Sequence, residues 1–149
     1  IDKLILNLEF KDIQKAFQIN SFSNILFVKY LIKNMINDNF GRFIFFNSTR
    51  ASRGDVGISL YSSSKSILKP FSKCIAKEFG RFNITSNVIS LGYFNSPLLN
   101  NINKKIKENL INQIPSKKIG KTKNISNVIK TIIESDYNNA AEIKIDGGL

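Results

Sequence analysis

The stretch RFIFFN, residues 42–47, carries the strongest signal for the fold. It is a short run of mostly apolar and aromatic residues, preceded by Gly41 and followed by the polar segment STRASRGDVGIS at 48–59. A run of this length and composition predicts a β-strand that is buried on both faces, as in a parallel sheet. The polar segment after it predicts a loop at the carboxyl end of that strand.

Two further segments predict strands of the same kind, ITSNVIS at 84–90 and AEIKID at 141–146. Elsewhere, apolar residues recur every three or four positions, which predicts helices. The predicted helices span 10–20, 21–40, 59–80, 98–113 and 124–134. Helices and strands in this order predict an α/β fold with a mainly parallel sheet, in one domain over residues 1–149. Because three strands make a thin sheet, we interpret the chain as the C-terminal half of a doubly wound domain.

Single residues add detail to two of these helices. Ser21 or Ser23 is expected to cap the helix at 21–40, because a serine hydroxyl accepts hydrogen bonds from unpaired backbone amides. Pro70 is expected to kink the helix at 59–80, because proline lacks an amide hydrogen and clashes with the preceding turn.

The composition narrows the class of protein. The chain has 149 residues, of which 42% are hydrophobic, and this content fits a globular protein. No apolar run reaches the roughly 18 residues that a membrane span needs. A single cysteine and no histidine argue against an internal disulfide and against a zinc site. A reducing cytoplasm is the expected location.

The net charge of +11 invites a nucleic-acid interpretation, which we discount. The charge comes from 18 lysines and only 4 arginines, and recognition of phosphates and base edges relies largely on arginine. A basic module for nucleic acid or for acidic carrier proteins stays as an alternative, because lysines are frequent in 104–123.

The segment SLYSSSK, residues 59–65, places Tyr61 and Lys65 one helical turn apart on the same face. An ammonium group near a phenol favours the phenolate, and such a tyrosine can exchange a proton with a carbonyl or alcohol oxygen. Ser48 ends the first predicted strand, where open α/β sheets bind ligands. A tyrosine and a lysine at this spacing are common on solvated helix faces, so the pair alone is a weak signal.

Several segments, in the same order along the chain, resemble the short-chain dehydrogenase/reductase family and its 3-oxoacyl-[acyl-carrier-protein] reductase group. Ser48 lies thirteen residues before Tyr61, and YSSSK supplies the tyrosine and the lysine of that family. Asn20 lies twenty-one residues before Gly41, where the family carries an active-site asparagine. The other matching segments are ITSNVISLGYFNSPLL at 84–99, IPSKKIGKTKNISNVIKTII at 114–133 and AEIKIDGG at 141–148.

The resemblance implies a Rossmann-like fold, of which this chain carries the catalytic half, and a role for each matching residue. Tyr61 would be the general acid of carbonyl reduction, and Lys65 would favour its ionisation and bind the nicotinamide ribose. Ser48 would position the substrate oxygen, and Asn20 would hold a water that links Lys65 to solvent. The implied cofactor-binding residues are Tyr61, Lys65, Gly92, Phe94 and Ser96. Ser62, Ser63 and Ser64 are interpreted as helix residues without a role.

The resemblance also implies NADP or NAD as the cofactor, with NADPH favoured, and a 3-oxoacyl thioester or related carbonyl as the substrate. That substrate would be a small molecule or linked to an acyl carrier. The full-length protein is expected to be a homo-oligomer, a dimer or tetramer, that binds neither nucleic acid nor membrane.

One departure from the family concerns the cofactor. The sequence lacks the glycine-rich turn G-x-x-x-G-x-G that presents backbone amides to a pyrophosphate, so the N-terminal nucleotide-binding half is taken as absent. A truncated, non-catalytic relic that acts as a binding or oligomerisation partner therefore stays open as the alternative.

Overall fold

The computed structural model describes residues 3–149, apart from the side chains of Leu98 and Asn100, as helices packed on a parallel sheet. The strands are β1 Gly41–Ser48, β2 Ile84–Leu91 and β3 Glu142–Ile145. The helices are α1 Phe10–Phe17, α2 Ser23–Asn37, α3 Arg50–Arg53, α4 Ser59–Ser66, α5 Leu68–Phe79, α6 Pro97–Asn100, α7 Lys104–Gln113 and α8 Thr122–Glu134. Short 3₁₀ turns occupy Ile5–Asn7 and Gly80–Phe82. The predicted α/β class with a parallel sheet is confirmed.

The strands lie in the order β1-β2-β3, and all neighbours are parallel. β1 and β2 pair along their whole length, so that Ser48 lies opposite Leu91. β2 and β3 pair over their last four residues, and Leu91 lies opposite Ile145. The three strands therefore end side by side, which brings the loops that follow them to one edge of the sheet. Open α/β sheets bind their ligands at this edge.

The main core lies between one face of the sheet and the helices α2 and α5. On β1, Phe43 and Phe45 face this core, and the Phe45 ring lies 5.6 Å from that of Phe71 in α5. The buried members of the cluster are Val28, Phe43, Phe45, Leu68, Ile75, Ile84 and Val88. Each such side chain contributes about 1.5–3 kcal/mol when it leaves water. Residues 84–90 of β2 are all buried, as predicted for a strand covered on both faces.

For β1 the prediction of two buried faces was wrong. Successive side chains of a strand point to opposite faces, and on the second face Phe46 is 42% exposed. Arg42, at the start of the strand, donates a 3.2 Å hydrogen bond to the Ile133 carbonyl oxygen in α8. α8 thus contacts the beginning of β1 at Arg42, whereas Phe46, near the end of β1, stays in contact with solvent.

The predicted helices at 10–20 and 21–40 form a continuous helical segment. α1 and α2 are joined by one π-helical turn, Gln18–Phe22, which contains Asn20. The prediction that Ser21 or Ser23 caps a helix was wrong, because α2 continues directly from the π-helical turn and no side chain caps its first residues. The Ser23 hydroxyl instead donates to the Ile19 carbonyl oxygen at 2.6 Å, and the Ser21 hydroxyl donates to the Ser64 carbonyl oxygen at 2.5 Å.

The kink predicted at Pro70 takes the form of an interruption that divides the predicted helix in two. α4 ends at Ser66 and α5 begins at Leu68, so the break falls at Ile67, three residues before the proline. A proline ring inside a helix clashes with the carbonyl group four residues earlier, which here belongs to Ser66.

The prediction of a single helix over 98–113 was wrong, because α6 and α7 are separate helices in this region. There, α7 begins afresh at Lys104, because the Asn103 side-chain oxygen accepts a 2.8 Å hydrogen bond from the Lys105 amide.

Two kinds of feature are not found in the part of the chain that the structure describes. None of the helices within 3–149 combines the length and apolar character of a membrane span. The same residues contain no group of three or more histidine, cysteine, aspartate or glutamate side chains close enough to hold a metal ion.

Candidate active site

Ser48 occupies the edge of the sheet where the strands end. The Thr49 amide, directly after it, donates a 3.0 Å hydrogen bond to the Leu91 carbonyl oxygen, so β1 and β2 separate only beyond this point. The Ser48 hydroxyl oxygen accepts a 3.2 Å hydrogen bond from the Arg50 amide. This bond leaves the Ser48 hydroxyl proton available to a second acceptor, and the side chain lines a cavity at the sheet edge.

That cavity has a volume of about 750 Å³, within the range of sites that hold small molecules. One wall comes from α7 and the segment before it, and the other comes from the loops that follow β1 and β2. The residues that line the cavity include Ser48, Arg50, Arg53, Asp55, Gly92, Phe94, Ser96, Leu99, Ile102, Ile106, Leu110 and Gln113. The cavity therefore joins a polar sheet edge to an apolar helix face.

The loop after β2 is tightly held. Gly92 donates its amide to the Ile145 carbonyl oxygen at 3.0 Å, and a side chain at position 92 would lie 2.7 Å from the Cα atom of Asp146. Phe94 forms a bridge with Gly120, where an added Cβ would lie 2.5 Å from the Phe94 ring. Only glycine at these two positions lets the loop approach its neighbours so closely.

Ser96 ends the same loop and begins α6. Its hydroxyl oxygen accepts a 3.3 Å hydrogen bond from the Leu99 amide, which makes Ser96 the N-cap of that helix. Because Ser96 also lines the cavity, its hydroxyl proton can be donated to a bound group while the oxygen keeps the cap.

Lys65 connects α4 to β1. Its ammonium nitrogen Nζ donates a 2.8 Å hydrogen bond to the Phe46 carbonyl oxygen, two residues before Ser48. Burial lowers the pKa of the Lys65 ammonium group, because a buried environment disfavours the charged form. Tyr61, one turn earlier on α4, is half-buried.

Asn20 is held by the same helix. Its side-chain nitrogen Nδ2 donates a 3.0 Å hydrogen bond to the Ser64 hydroxyl, which in turn donates a 2.9 Å bond to the Tyr61 carbonyl oxygen. The Asn20 carbonyl oxygen accepts a 3.0 Å bond from the Asn24 side chain. π-Helical turns occur frequently at functional sites, and this one directs the Asn20 amide onto α4.

The structure thus divides the sequence-predicted residues into two groups. Ser48, Gly92, Phe94 and Ser96 line the large cavity. Asn20 and Tyr61 line a separate pocket of about 110 Å³ beside α1, together with Lys15, Ala16, Ile19 and Leu60. Lys65 connects the groups, because it lies on the helix of Tyr61 and is hydrogen-bonded to the strand of Ser48.

Sequence reasoning missed Ser64, and its interpretation as a helix residue without a role was wrong. Ser64 is fully buried, its hydroxyl bonds to Asn20 and to Tyr61, and its carbonyl oxygen accepts from Ser21. Nothing local distinguishes it from Ser63, which is exposed. No local sequence signal could have found it, because the partners that distinguish it, Asn20 and Ser21, lie more than 40 positions earlier in the chain.

Comparison with known proteins connects this geometry to a family. The family model described as enoyl-(acyl carrier protein) reductase matches residues 1–149. Among curated proteins, a 3-oxoacyl-[acyl-carrier-protein] reductase of Buchnera aphidicola subsp. Baizongia pistaciae is 31% identical over 150 residues. Carbonyl reductase family member 4 of Xenopus laevis is 30% identical over 149 residues. Each alignment covers 99% of this chain and 61% of the relative, so the chain spans about three fifths of their length.

Solved structures agree on the fold. An acetoin dehydrogenase from Enterobacter cloacae superimposes with a TM-score of 0.85 at 22% identity, over 99% of this chain and 59% of that one. A protein described as a dehalogenation enzyme superimposes with a TM-score of 0.92 at 20% identity, over 99% and 63% of the two chains. With a family model that matches the whole chain and a Rossmann-like half-sheet in place, the chain belongs to the short-chain dehydrogenase/reductase family.

Proposed function

We propose that the intact protein is an NAD(P)-dependent oxidoreductase that reduces a carbonyl to an alcohol by hydride transfer, with Tyr61 as the proton donor. The observation that carries this proposal is the hydrogen bond from Lys65 to the Phe46 carbonyl oxygen. It fixes a half-buried ammonium group between the helix of Tyr61 and the strand that ends at Ser48. Carbonyl reduction needs a proton donor, a charge that stabilises the resulting phenolate and a hydrogen-bond donor to the substrate oxygen, and Tyr61, Lys65 and Ser48 are groups of these kinds.

The proposed division of labour follows from the chemistry of each group. The Ser48 hydroxyl donates a hydrogen bond to the substrate oxygen and holds it at the sheet edge. The Tyr61 hydroxyl gives its proton to that oxygen as negative charge develops there. The nearby Lys65 ammonium group stabilises the phenolate that remains, and burial strengthens this effect because the local dielectric is low. Tyr61 is then reprotonated from solvent through the pocket that it shares with Asn20.

A nicotinamide dinucleotide, NADPH in preference to NADH, supplies the hydride when it is bound. The residues that would hold its nicotinamide end are Tyr61, Lys65, Gly92, Phe94 and Ser96. Their fit is supported by the shared position of Gly92, Phe94 and Ser96 on the cavity wall and by the Ser96 hydroxyl there, which can donate to a bound group. A comparison of the Kd values of NADPH and NADH tests the preference for the phosphorylated form.

A 3-oxoacyl thioester, small or linked to an acyl carrier, is the proposed substrate. Two observations support it. The relatives include 3-oxoacyl-[acyl-carrier-protein] reductases, and the α7 wall of the cavity offers apolar side chains along which an acyl chain can pack.

We also propose a homo-oligomer in which α2 contributes to the contact between copies. Several large apolar side chains on α2 are exposed, including Phe27 at 66% and Tyr30 at 71%. Exposed apolar patches of this kind mark interaction surfaces in soluble proteins. Light scattering on the intact protein should give the mass of a dimer or tetramer, and Phe27→Lys should shift that mass toward the monomer. A monomeric wild-type protein would contradict this assembly.

The central experiment compares Tyr61→Phe with Tyr137→Phe in the intact protein, using NADPH oxidation with a 3-oxoacyl thioester. Tyr61→Phe should lower kcat by about 10²–10⁴-fold, the usual contribution of a positioned proton donor. Tyr137 is 97% exposed, so its variant should match the wild type. Equal turnover in all three proteins would refute the role of Tyr61. A wild-type protein that reduces no carbonyl substrate would instead favour the alternative, a non-catalytic protein that acts as a binding or oligomerisation partner.

A further inference from the structure

Thr49 makes two hydrogen bonds to a single acceptor. Its amide donates to the Leu91 carbonyl oxygen at 3.0 Å, and its hydroxyl group donates to the same oxygen at 3.2 Å. Leu91 is the last residue of β2, and the amide of the next residue, Gly92, donates to the Ile145 carbonyl oxygen. Thr49 is only 5% exposed, and it lines the cavity next to Ser48. Its side chain therefore ties the end of β1 to the start of the loop after β2.

The backbone changes direction at Thr49. β1 ends at Ser48, α3 begins at Arg50, and Thr49 between them already has helical torsion angles, φ −63° and ψ −28°. A threonine in this N-cap position usually accepts a hydrogen bond from the first turn of its helix. The Thr49 side chain makes no such bond, and the Ser48 hydroxyl oxygen accepts from the Arg50 amide. The Thr49 hydroxyl thus holds the turn against the sheet instead of capping the helix.

We propose that Thr49 is a positioning residue that fixes the Ser48 hydroxyl at the cavity wall, a role that rests on the proposed function. A turn held by the Thr49 amide alone can pivot about the Leu91 carbonyl oxygen, and the bond from the hydroxyl resists this movement. Ser48 then keeps its place with its hydroxyl proton available to the substrate oxygen. This precision matters because a displacement of about 1 Å in a catalytic group can lower a rate by about 10²-fold.

Two substitutions separate the Thr49 hydroxyl from the rest of the side chain. Thr49→Val keeps the shape of the residue and removes the hydroxyl, whereas Thr49→Ser keeps the hydroxyl and removes a methyl group. In the intact protein, assayed by NADPH oxidation with a 3-oxoacyl thioester, Thr49→Val should lower kcat by about tenfold and leave KM within about twofold. Thr49→Ser should retain most of the wild-type kcat. A wild-type kcat in Thr49→Val would overturn the proposal, and so would equal losses in the two variants.

Thr85→Val is the matched control. Thr85 is also a buried threonine of the sheet, at 2% exposure, but it lies near the start of β2. Its hydroxyl has no hydrogen-bond partner within the described part of the chain, so the substitution breaks no bond. The control should keep the wild-type kcat and the wild-type resistance to urea. A loss of kcat equal to that of Thr49→Val would indicate a general effect of sheet packing and would contradict a role specific to Thr49.

A double substitution tests whether Thr49 acts through Ser48. Adding Thr49→Val to Ser48→Ala should lower kcat by less than about twofold, because the hydroxyl that Thr49 positions is already absent. A further loss of about tenfold, as expected for Thr49→Val alone, would mean that the two residues act independently and would overturn the proposal.

Hydrogen exchange separates this inference from the proposed function, because it needs no turnover. The Arg50 amide, which donates to the Ser48 hydroxyl, should exchange with deuterium faster in Thr49→Val than in the wild type and Thr85→Val. Faster exchange in a protein that reduces no carbonyl substrate would contradict the reductase and support the anchoring of Ser48. Tyr61-dependent turnover that Thr49→Val leaves unchanged would contradict the inference and support the reductase. Unchanged exchange in an inactive protein would overturn both.

Discussion

The side-chain amide of Asn20 donates a 3.0 Å hydrogen bond to the hydroxyl of Ser64, a residue 44 positions further along the chain. The bond joins the π-helical turn to α4, one turn from Tyr61 and next to Lys65. Since Ser64 also donates to the Tyr61 carbonyl oxygen, the asparagine and the tyrosine share a single anchor. The positions of two proposed active-site residues thus depend on a third that takes no part in the chemistry.

Replacing Ser64 should lower both the stability of the protein and its kcat. Ser64→Ala removes the acceptor of the half-buried Asn20 amide, and the loss of such a hydrogen bond costs about 0.5–1.5 kcal/mol of stability. We expect a lower free energy of unfolding by urea, and a lower kcat at an unchanged KM, because Asn20 loses its position. Ser63→Ala, at an exposed neighbouring site, should stay within about 0.5 kcal/mol of the wild type. A Ser64→Ala protein with wild-type stability and kcat would show that the anchor is dispensable.

The Phe94–Gly120 contact predicts the effect of a single methyl group. Gly120→Ala places a Cβ atom 2.5 Å from the Phe94 ring, so the ring and the loop of Gly92 and Ser96 must shift. Overpacking of this kind costs about 1–3 kcal/mol, and the Kd of NADPH should rise with it. Gly80→Ala is the control, because its nearest neighbour lies at 3.5 Å and its backbone is helical. Phe94→Leu in the Gly120→Ala background should restore part of the stability, and full additivity of the two changes would contradict the clash.

Gly92→Ala should be more damaging than Gly120→Ala. The added Cβ meets the Cα atom of Asp146 at 2.7 Å and its carbonyl oxygen at 3.1 Å, and these backbone atoms cannot rotate away as a ring can. The end of β2 must then separate from the segment after β3, which breaks the bond from the Gly92 amide to the Ile145 carbonyl oxygen. We expect a larger fall in thermal unfolding temperature, measured by circular dichroism. A fall equal to that of Gly120→Ala would show that the C-terminal segment moves freely.

The burial of Lys65 predicts a dependence of stability on pH. Its pKa is lowered in the folded state, so between that lowered value and the ordinary 10.5 the unfolded chain binds more protons. The contribution of Lys65 to the free energy of unfolding is therefore smallest below the lowered pKa. It rises as the pH increases from that pKa to 10.5. Lys65→Met should weaken this rise in urea unfolding between pH 7 and 10.5, and it should abolish reduction. Lys77→Met, at an exposed site on α5, should keep the wild-type slope, and parallel profiles for all three proteins would contradict the burial effect.

The sequence by itself determined the strands, the longer helices and their order. Apolar runs and three-to-four spacing are properties of neighbouring residues, so they located β1, β2, the amphipathic helices and the break before Pro70. The spacing from Ser48 to Tyr61 and Lys65 likewise indicated the family, because it is measured along the chain. Burial of both faces of β1 could not be predicted in this way, since the exposure of Phe46 depends on how far α8 extends over the sheet.

Only the tertiary structure decided how these residues meet. Ser63 and Ser64 are identical in local sequence terms, yet the crossing of α4 with the π-helical turn buries one and leaves the other in solvent. The placement of Tyr61 with Asn20, and of Ser48 with the α7 wall, depends in the same way on contacts between distant segments. Local pattern encodes which face of an element is apolar, whereas the partner of a buried polar group is set by packing across the whole chain.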